Sequence, residues 1–170
     1  ENLTILAFER SSYTTAVESG RALLAAREVS GGRAVMSLQA IIGLSALEIG
    51  DLARCREAER EIHVLNERYS GHSNDMSYVH IFLARMMASR KRHDDALKSL
   101  SEASNRYRKR NHLAFLRLEI EKCSLLARTG IDCSAELERA LADLQGTGAL
   151  PLIERASDLS IRLKSTNSKV

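Results

Sequence analysis

Eight polar side chains, spread over three segments with helical periodicity, have the types and spacing needed to bind a ligand. In the last segment Arg117, Glu121, Ser124 and Arg128 recur at intervals that place them on one face of a helix. A guanidinium offers a planar fork of donors that fits a carboxylate, and a tyrosine offers a ring face and a hydroxyl. The candidate binding residues are therefore Ser37, Glu48, Tyr78, Arg85, Arg117, Glu121, Ser124 and Arg128.

A second interpretation of the last segment stays open at this stage. Arg117 and Glu121 are four residues apart, and such a pair also stabilises an ordinary solvated helix. On that interpretation these two side chains would lie in solvent and would bind nothing.

Catalytic and metal-binding patterns are absent from the sequence. The histidines, His63, His72, His80, His93 and His112, form neither an H-x-x-x-H nor an H-E-x-x-H arrangement. The sequence also lacks a G-x-S-x-G nucleophile elbow and the glycine-rich loops that hold phosphates. We therefore predict no enzyme activity, no metal site and no cofactor.

The three cysteines, Cys55, Cys123 and Cys133, are odd in number and contain no C-x-x-C pair. This usage predicts a reducing compartment, the cytoplasm. Cys55 and Cys123 fall on apolar helix faces and are expected to be buried, whereas Cys133 is expected to be exposed.

Charge is mixed along the chain, with a formal net value of +3. Two basic stretches, 90–93 and 106–112, fall at predicted helix ends, where lysine and arginine complement the helix dipole. Contact with a phosphate backbone, with Tyr107 as a stacking ring, is the alternative for these stretches. The interleaved charges favour the helix-dipole interpretation, so we expect that this chain itself binds no nucleic acid.

Composition predicts an all-α protein. Hydrophobic residues make up 44% of the 170 residues, aromatic residues only 4%, and Pro151 is the single proline. Such a chain can form long uninterrupted helices and is long enough for one domain with a continuous core. Neither a membrane-spanning run nor a signal peptide is visible in the sequence.

Helix pairs recur along the chain with a period of about forty residues. Small residues early in each predicted second helix, Ala16, Cys55, Ala96 and Ala135, are 39, 41 and 39 residues apart. We predict one helical-repeat domain over 1-163, followed by a polar tail or linker at 164-170. Its parts are a partial repeat 1-29 (helices Leu3–Arg10 and Tyr13–Val29), repeats 33-69, 74-110 and 112-145, and a closing helix 149-163.

Several residues give the repeats a resemblance to a known family. Gly43, Leu47, Gly50-Asp51, Cys55 and Ile62 in one copy, and Leu83, Ala84, Ala96, Leu100 and Ala103 in the next, resemble the pattern of small and large residues in tetratricopeptide repeats. The helices here are longer than in that family, aromatic residues are few, and the proline that usually follows the second helix is missing. Long-helix repeats of this kind, leading into D-D-A-L-x-x-L, are similar to the sensor region of large ATP-dependent bacterial transcription activators of the MalT and LuxR type.

The resemblance implies a right-handed superhelical stack of antiparallel helix hairpins whose concave groove holds a small-molecule inducer or a protein partner. It implies a sensor domain of a transcription regulator in the cytoplasm, with DNA bound through a C-terminal domain outside this chain. A generic tetratricopeptide-type scaffold for protein–protein interaction is the alternative. Because the chain starts at Glu1, we expect it to be a piece of a longer protein, and an uncovered first repeat would allow self-association.

Overall fold

The computed structural model describes residues 2–26, 31–68 and 75–167, and the regular structure within these ranges is entirely α-helical. The all-α prediction is confirmed. In chain order the helices are α1 (Asn2–Glu9), α2 (Tyr13–Ala25), α3 (Gly32–Glu48), α4 (Leu52–Arg68), α5 (Ser77–Ser89), α6 (His93–Tyr107), α7 (His112–Arg128), α8 (Ser134–Leu144) and α9 (Leu150–Asn167).

In the second half of the chain, the helix ends agree closely with those predicted from the sequence. Helices α7 and α8 begin and end where the repeat pattern predicts. Helix α9 continues to Asn167, so the first residues of the predicted polar tail are helical, because no glycine or proline interrupts the helix after Pro151. The predicted ends at Val29 and Tyr69 lie outside the described residues.

Four turns with the same backbone conformation link α1 to α2, α3 to α4, α5 to α6 and α7 to α8. In each, the second residue after the helix has a positive φ: 58° at Ser11, 77° at Gly50, 62° at Lys91 and 77° at Gly130. The next amide donates to a carbonyl five residues earlier, as in Ser12 to Ala7 (2.8 Å), Asp51 to Ala46 (2.9 Å), Arg92 to Met87 (3.0 Å) and Ile131 to Leu126 (3.0 Å). These are Schellman caps, and their spacing repeats the predicted period.

The predicted position of the small residue early in each second helix is confirmed in three copies and wrong in the fourth. Ala16, Cys55 and Ala96 each occupy the fourth position of their helix and are fully buried. In α8 the fourth position is Leu137, which is also fully buried, whereas Ala135 is exposed. The longer turn before α8 shifts the inward-facing position by two residues, so a larger side chain fills it.

The chain divides into two compact units, 1–83 and 84–170. In the first unit, α2 contacts α1 and α3, and α3 packs along α4. Gly43 in α3 lets the Phe82 ring approach closely, because a Cβ at Gly43 would lie 2.5 Å from Phe82 Cε2. The single-domain organisation predicted over 1-163 stays a prediction.

In the second unit, α7 contacts α6, α8 and α9, and α8 contacts α9. Its apolar core includes Leu116, Ile120, Leu137 and Ala156. The expected exposure of Cys133 is wrong: this residue is buried, and its thiol donates to the Cys123 carbonyl oxygen at 3.3 Å. The burial expected for Cys55 and Cys123 is confirmed.

Candidate ligand-binding site

Helix α7 positions the polar residues of the candidate site. The Asn111 side chain caps the helix by accepting a hydrogen bond from the Ala114 amide at 3.0 Å. Leu116, Ile120 and Cys123 belong to the apolar core, which fixes the rotation of the helix about its axis. As a result, Arg117, Glu121, Ser124 and Arg128 share a separate face.

Glu121 is fully buried and is held by arginines from two other helices. Arg85 of α5 donates from Nε to Oε1 at 2.7 Å and from Nη2 to Oε2 at 2.9 Å. Arg155 of α9 donates to the same Oε2. A bidentate pair with a second guanidinium satisfies a buried carboxylate well. We call Arg85, Glu121 and Arg155 the ion cluster.

The ion cluster keeps Glu121 charged. Burial alone would raise the pKa of this carboxyl, but the charges of Arg85 and Arg155, the hydrogen bonds from Arg85 and the charge of Arg128 lower it to about 2. At neutral pH the second unit therefore contains an ionised carboxylate at a fully buried position.

A pocket of about 260 Å³ opens beyond Ser124 on the same face of α7. Its walls come from the last turn of α7, from the turn that follows and from α9. The lining residues are Ser124, Ala127, Arg128, Gly130, Ile131, Asp132, Leu159, Arg162 and Leu163.

The charged groups of the pocket are two arginines and one carboxylate. Asp132 already accepts hydrogen bonds from the Ser134 amide at 3.0 Å and the Ser134 hydroxyl at 2.7 Å. These bonds lower the pKa of Asp132 and tie its carboxylate to the start of α8. Arg128 and Arg162 approach from different helices, so the pocket can meet an anion with two guanidinium groups.

Three of the predicted binding residues lie in the first unit. Ser37 is half-buried, and its hydroxyl is 3.7 Å from the Met76 sulfur. Glu48 is exposed in the last turn of α3. Tyr78 is buried, with its hydroxyl donating to Glu9 Oε1 at 2.7 Å.

The other five lie in the second unit, and the structure brings most of them together. Arg85 meets Glu121 in the ion cluster, Ser124 and Arg128 line the pocket, and Arg117 is buried on the same face of α7. The alternative of a solvated surface pair is therefore wrong for Arg117 and Glu121, since both side chains are buried.

Sequence reasoning missed the contribution of α9. Arg155, Leu159 and Arg162 have the spacing of one helical face, but the helix was predicted only to close the repeat stack. A second signal was available in the repeat register. The residue nine positions before the left-handed turn residue is fully buried in three copies, as Ile41, Phe82 and Glu121. The repeat register therefore places Glu121 in a core position.

Within residues 2–26, 31–68 and 75–167, no three histidine, cysteine or acidic side chains lie close enough to hold a metal ion. None of the helices in the described part of the chain has both the length and the apolar character needed to cross a membrane. Burial raises the pKa of the Cys123 thiol to about 12, which leaves it protonated at neutral pH.

Comparisons with protein families, with curated proteins and with solved structures found no match to this chain.

Proposed function

We propose that this chain is a non-catalytic binding module that acts as the sensor domain of a bacterial transcription regulator. One observation carries the binding role: a single face of α7 runs from the buried ion cluster into an open pocket. Buried charges add little to stability compared with apolar residues, so their presence in a core position favours a functional reason. The resemblance of the repeats supplies the regulatory part of the proposal.

Helix α9 gives such a module a means of response. It supplies Arg155 to the ion cluster and Leu159, Arg162 and Leu163 to the pocket wall. A ligand that moves α9 therefore changes the contacts of Glu121 at the same time. Differential contacts of this kind are what a ligand needs in order to shift a conformational equilibrium.

The proposal includes a right-handed superhelical stack of the helix hairpins, as in tetratricopeptide repeats. Four turns that share the Schellman hydrogen bond and a near-constant spacing support it, because regular units stack at a fixed offset. Small-angle scattering of the whole chain would test it: an elongated, curved particle is expected, and a scattering curve of two freely jointed units would contradict the stack.

A protein-interaction scaffold is the second candidate, and one observation favours it. Leu3 and Leu6 on α1 are 76% and 37% exposed. Exposed apolar side chains on one short helix are suited to packing against a partner or a second copy of the chain.

Two measurements separate the candidates. A screen of metabolite-sized compounds should raise the melting temperature of the chain if it is a sensor, because a ligand that binds only the folded state stabilises it. Affinity capture that recovers a specific protein, with no compound active in the screen, would favour the scaffold.

The regulatory role has its own test in the gene. We expect the full reading frame to encode an ATPase with a phosphate-binding loop before this segment and a helix-turn-helix after it. A reading frame with neither would refute the assignment to a transcription regulator and leave the binding role to the screen.

A further inference from the structure

We propose that the pocket at the end of α7 binds a small organic carboxylate, whose charged group meets Arg128 and Arg162 and whose hydrocarbon body lies against Leu159 and Leu163. The inference deepens the proposed binding function and rests on it.

Pocket size restricts the ligand to a small molecule. The volume of about 260 Å³ lies just below the usual range for pockets that hold drug-sized ligands. It corresponds to about nine water-sized groups. A nucleotide, an oligosaccharide or a peptide segment is too large for this volume, whereas a short-chain or aromatic carboxylic acid fits.

The charges of the lining favour an anion. Arg128 ends α7 and Arg162 lies on α9, so two guanidinium groups from separate helices can converge on one carboxylate. The lining carboxylate, Asp132, is bound to the Ser134 amide and hydroxyl. Glu121, three residues from Ser124, accepts hydrogen bonds from Arg85 and Arg155, and the Arg128 charge also acts on it.

The apolar lining favours a ligand with a hydrocarbon part over a bare inorganic anion. Ala127 of α7, Ile131 of the turn, and Leu159 and Leu163 of α9 contribute apolar groups to the same pocket. Inorganic phosphate or sulfate would leave these groups in contact with water. A carboxylate with a short chain covers them and still places its charge at the arginines.

Hexanoate is a suitable probe, because it combines one carboxylate with a chain that the pocket can accommodate. We expect calorimetric titration of the whole chain to show hexanoate binding at least about tenfold more tightly than hexanol, which lacks the charge, or acetate, which lacks the chain. Hexylamine, of opposite charge, should not bind. Tighter binding of inorganic phosphate than of hexanoate would overturn the proposal in favour of a plain anion site.

Substitutions in the pocket test whether hexanoate binds there. Arg128→Gln and Arg162→Gln should each weaken hexanoate binding about tenfold or more, through the loss of a charge-assisted hydrogen bond. Ala127→Leu should abolish binding by filling the pocket without changing its charge. The matched controls are Arg139→Gln and Ala142→Leu on the exposed side of α8, which should bind as the parent does.

Circular dichroism and melting curves of each variant identify any loss of fold, and Ala127→Leu tests the pocket without altering either arginine. The proposal fails if hexanoate does not bind the parent at about 10 mM, a concentration suited to the weakest ligands of this size. It also fails if Arg128→Gln and Arg162→Gln leave the affinity unchanged. Binding of another compound elsewhere would preserve the proposed sensor function while refuting this site; an empty compound screen would instead count against the sensor function.

Discussion

Helices α3 and α7 are both 17 residues long and are followed by the same left-handed turn, yet their buried faces differ in chemistry. The buried residues of α3 are apolar side chains, two glycines and Ser45. Those of α7 include Arg117 and Glu121. At the equivalent repeat position, Ile41 in α3 is replaced by Glu121 in α7.

The difference shows that one backbone arrangement can hold either an apolar contact or an ion cluster. Apolar residues in place of the whole ion cluster would give comparable or greater stability, since buried ion pairs rarely exceed a well-packed apolar replacement. We infer that the first unit uses this position for packing and that the second uses it to place charge beside a pocket.

The largest loss in the free energy of unfolding is expected for Glu121→Gln. It removes the anion that Arg85 and Arg155 share and leaves the buried Arg85 guanidinium without its carboxylate. Breaking a buried pair in this way costs about 3–5 kcal/mol. Urea unfolding measures the loss, and Glu136→Gln, at an exposed α8 pair, is the control with little expected change. A loss below about 1 kcal/mol would show that the ion cluster is not a core element.

The pH dependence of stability should arise mainly in the second unit. The folded-state pKa of Glu121 is about 2, below its ordinary value of 4.5, because the attraction of the arginines outweighs burial. Its contribution is therefore complete above about pH 4.5 and is lost as the pH falls towards 2. The loss should be on the order of 3 kcal/mol.

Denaturation midpoints between pH 6 and pH 2.5 measure this effect, and Glu121→Gln should flatten the curve. An unchanged slope in that variant would assign the acid sensitivity to other carboxylates.

In the first unit the matching test concerns packing. Gly43→Ala adds a Cβ that would lie 2.5 Å from Phe82 Cε2, so the ring must shift. We expect a loss of about 1–3 kcal/mol, the usual cost of overpacking a core. In urea unfolding, Gly43→Ala should cost less when Phe82 is already replaced by Leu than it costs in the parent chain. An equal cost in both backgrounds would mean that the added methyl group is opposed by something other than the ring.

Much of the fold could be predicted from the sequence because local signals set it. Gly50 and Gly130 mark two of the turns, and the apolar periodicity gave the bounds of α7 and α8. Ser11 and Lys91 adopt the same left-handed conformation without being glycine, so residue type alone did not reveal those two caps. The misplaced Ala135 has a similar origin, because a longer turn changed the register of α8.

The candidate site was only partly predictable, for a physical reason. Helical spacing put Arg117, Glu121, Ser124 and Arg128 on one face, but spacing cannot tell whether solvent or other helices cover that face. Burial of Glu121 depends on Arg85 and Arg155, which are distant in sequence and come from other helices. Only the repeat register, with Ile41 and Phe82 at the same position, carried that information.

The smallest loss of stability is expected for substitutions in the left-handed turn, which both units contain. Gly50→Ala and Gly130→Ala each force a residue with a Cβ into the left-handed conformation at the same point of the turn, where nothing lies near the added atom. Each should cost about 1–2 kcal/mol, and the two losses should be equal within about 0.5 kcal/mol. Lys91→Gly should have the opposite sign, since it relieves the same strain. Chemical denaturation of the three variants measures the comparison. If the two turn substitutions lower the free energy of unfolding equally, the units differ only in the side chains of α3 and α7. Clearly unequal losses at the two turns would mean that the units also differ in their backbone.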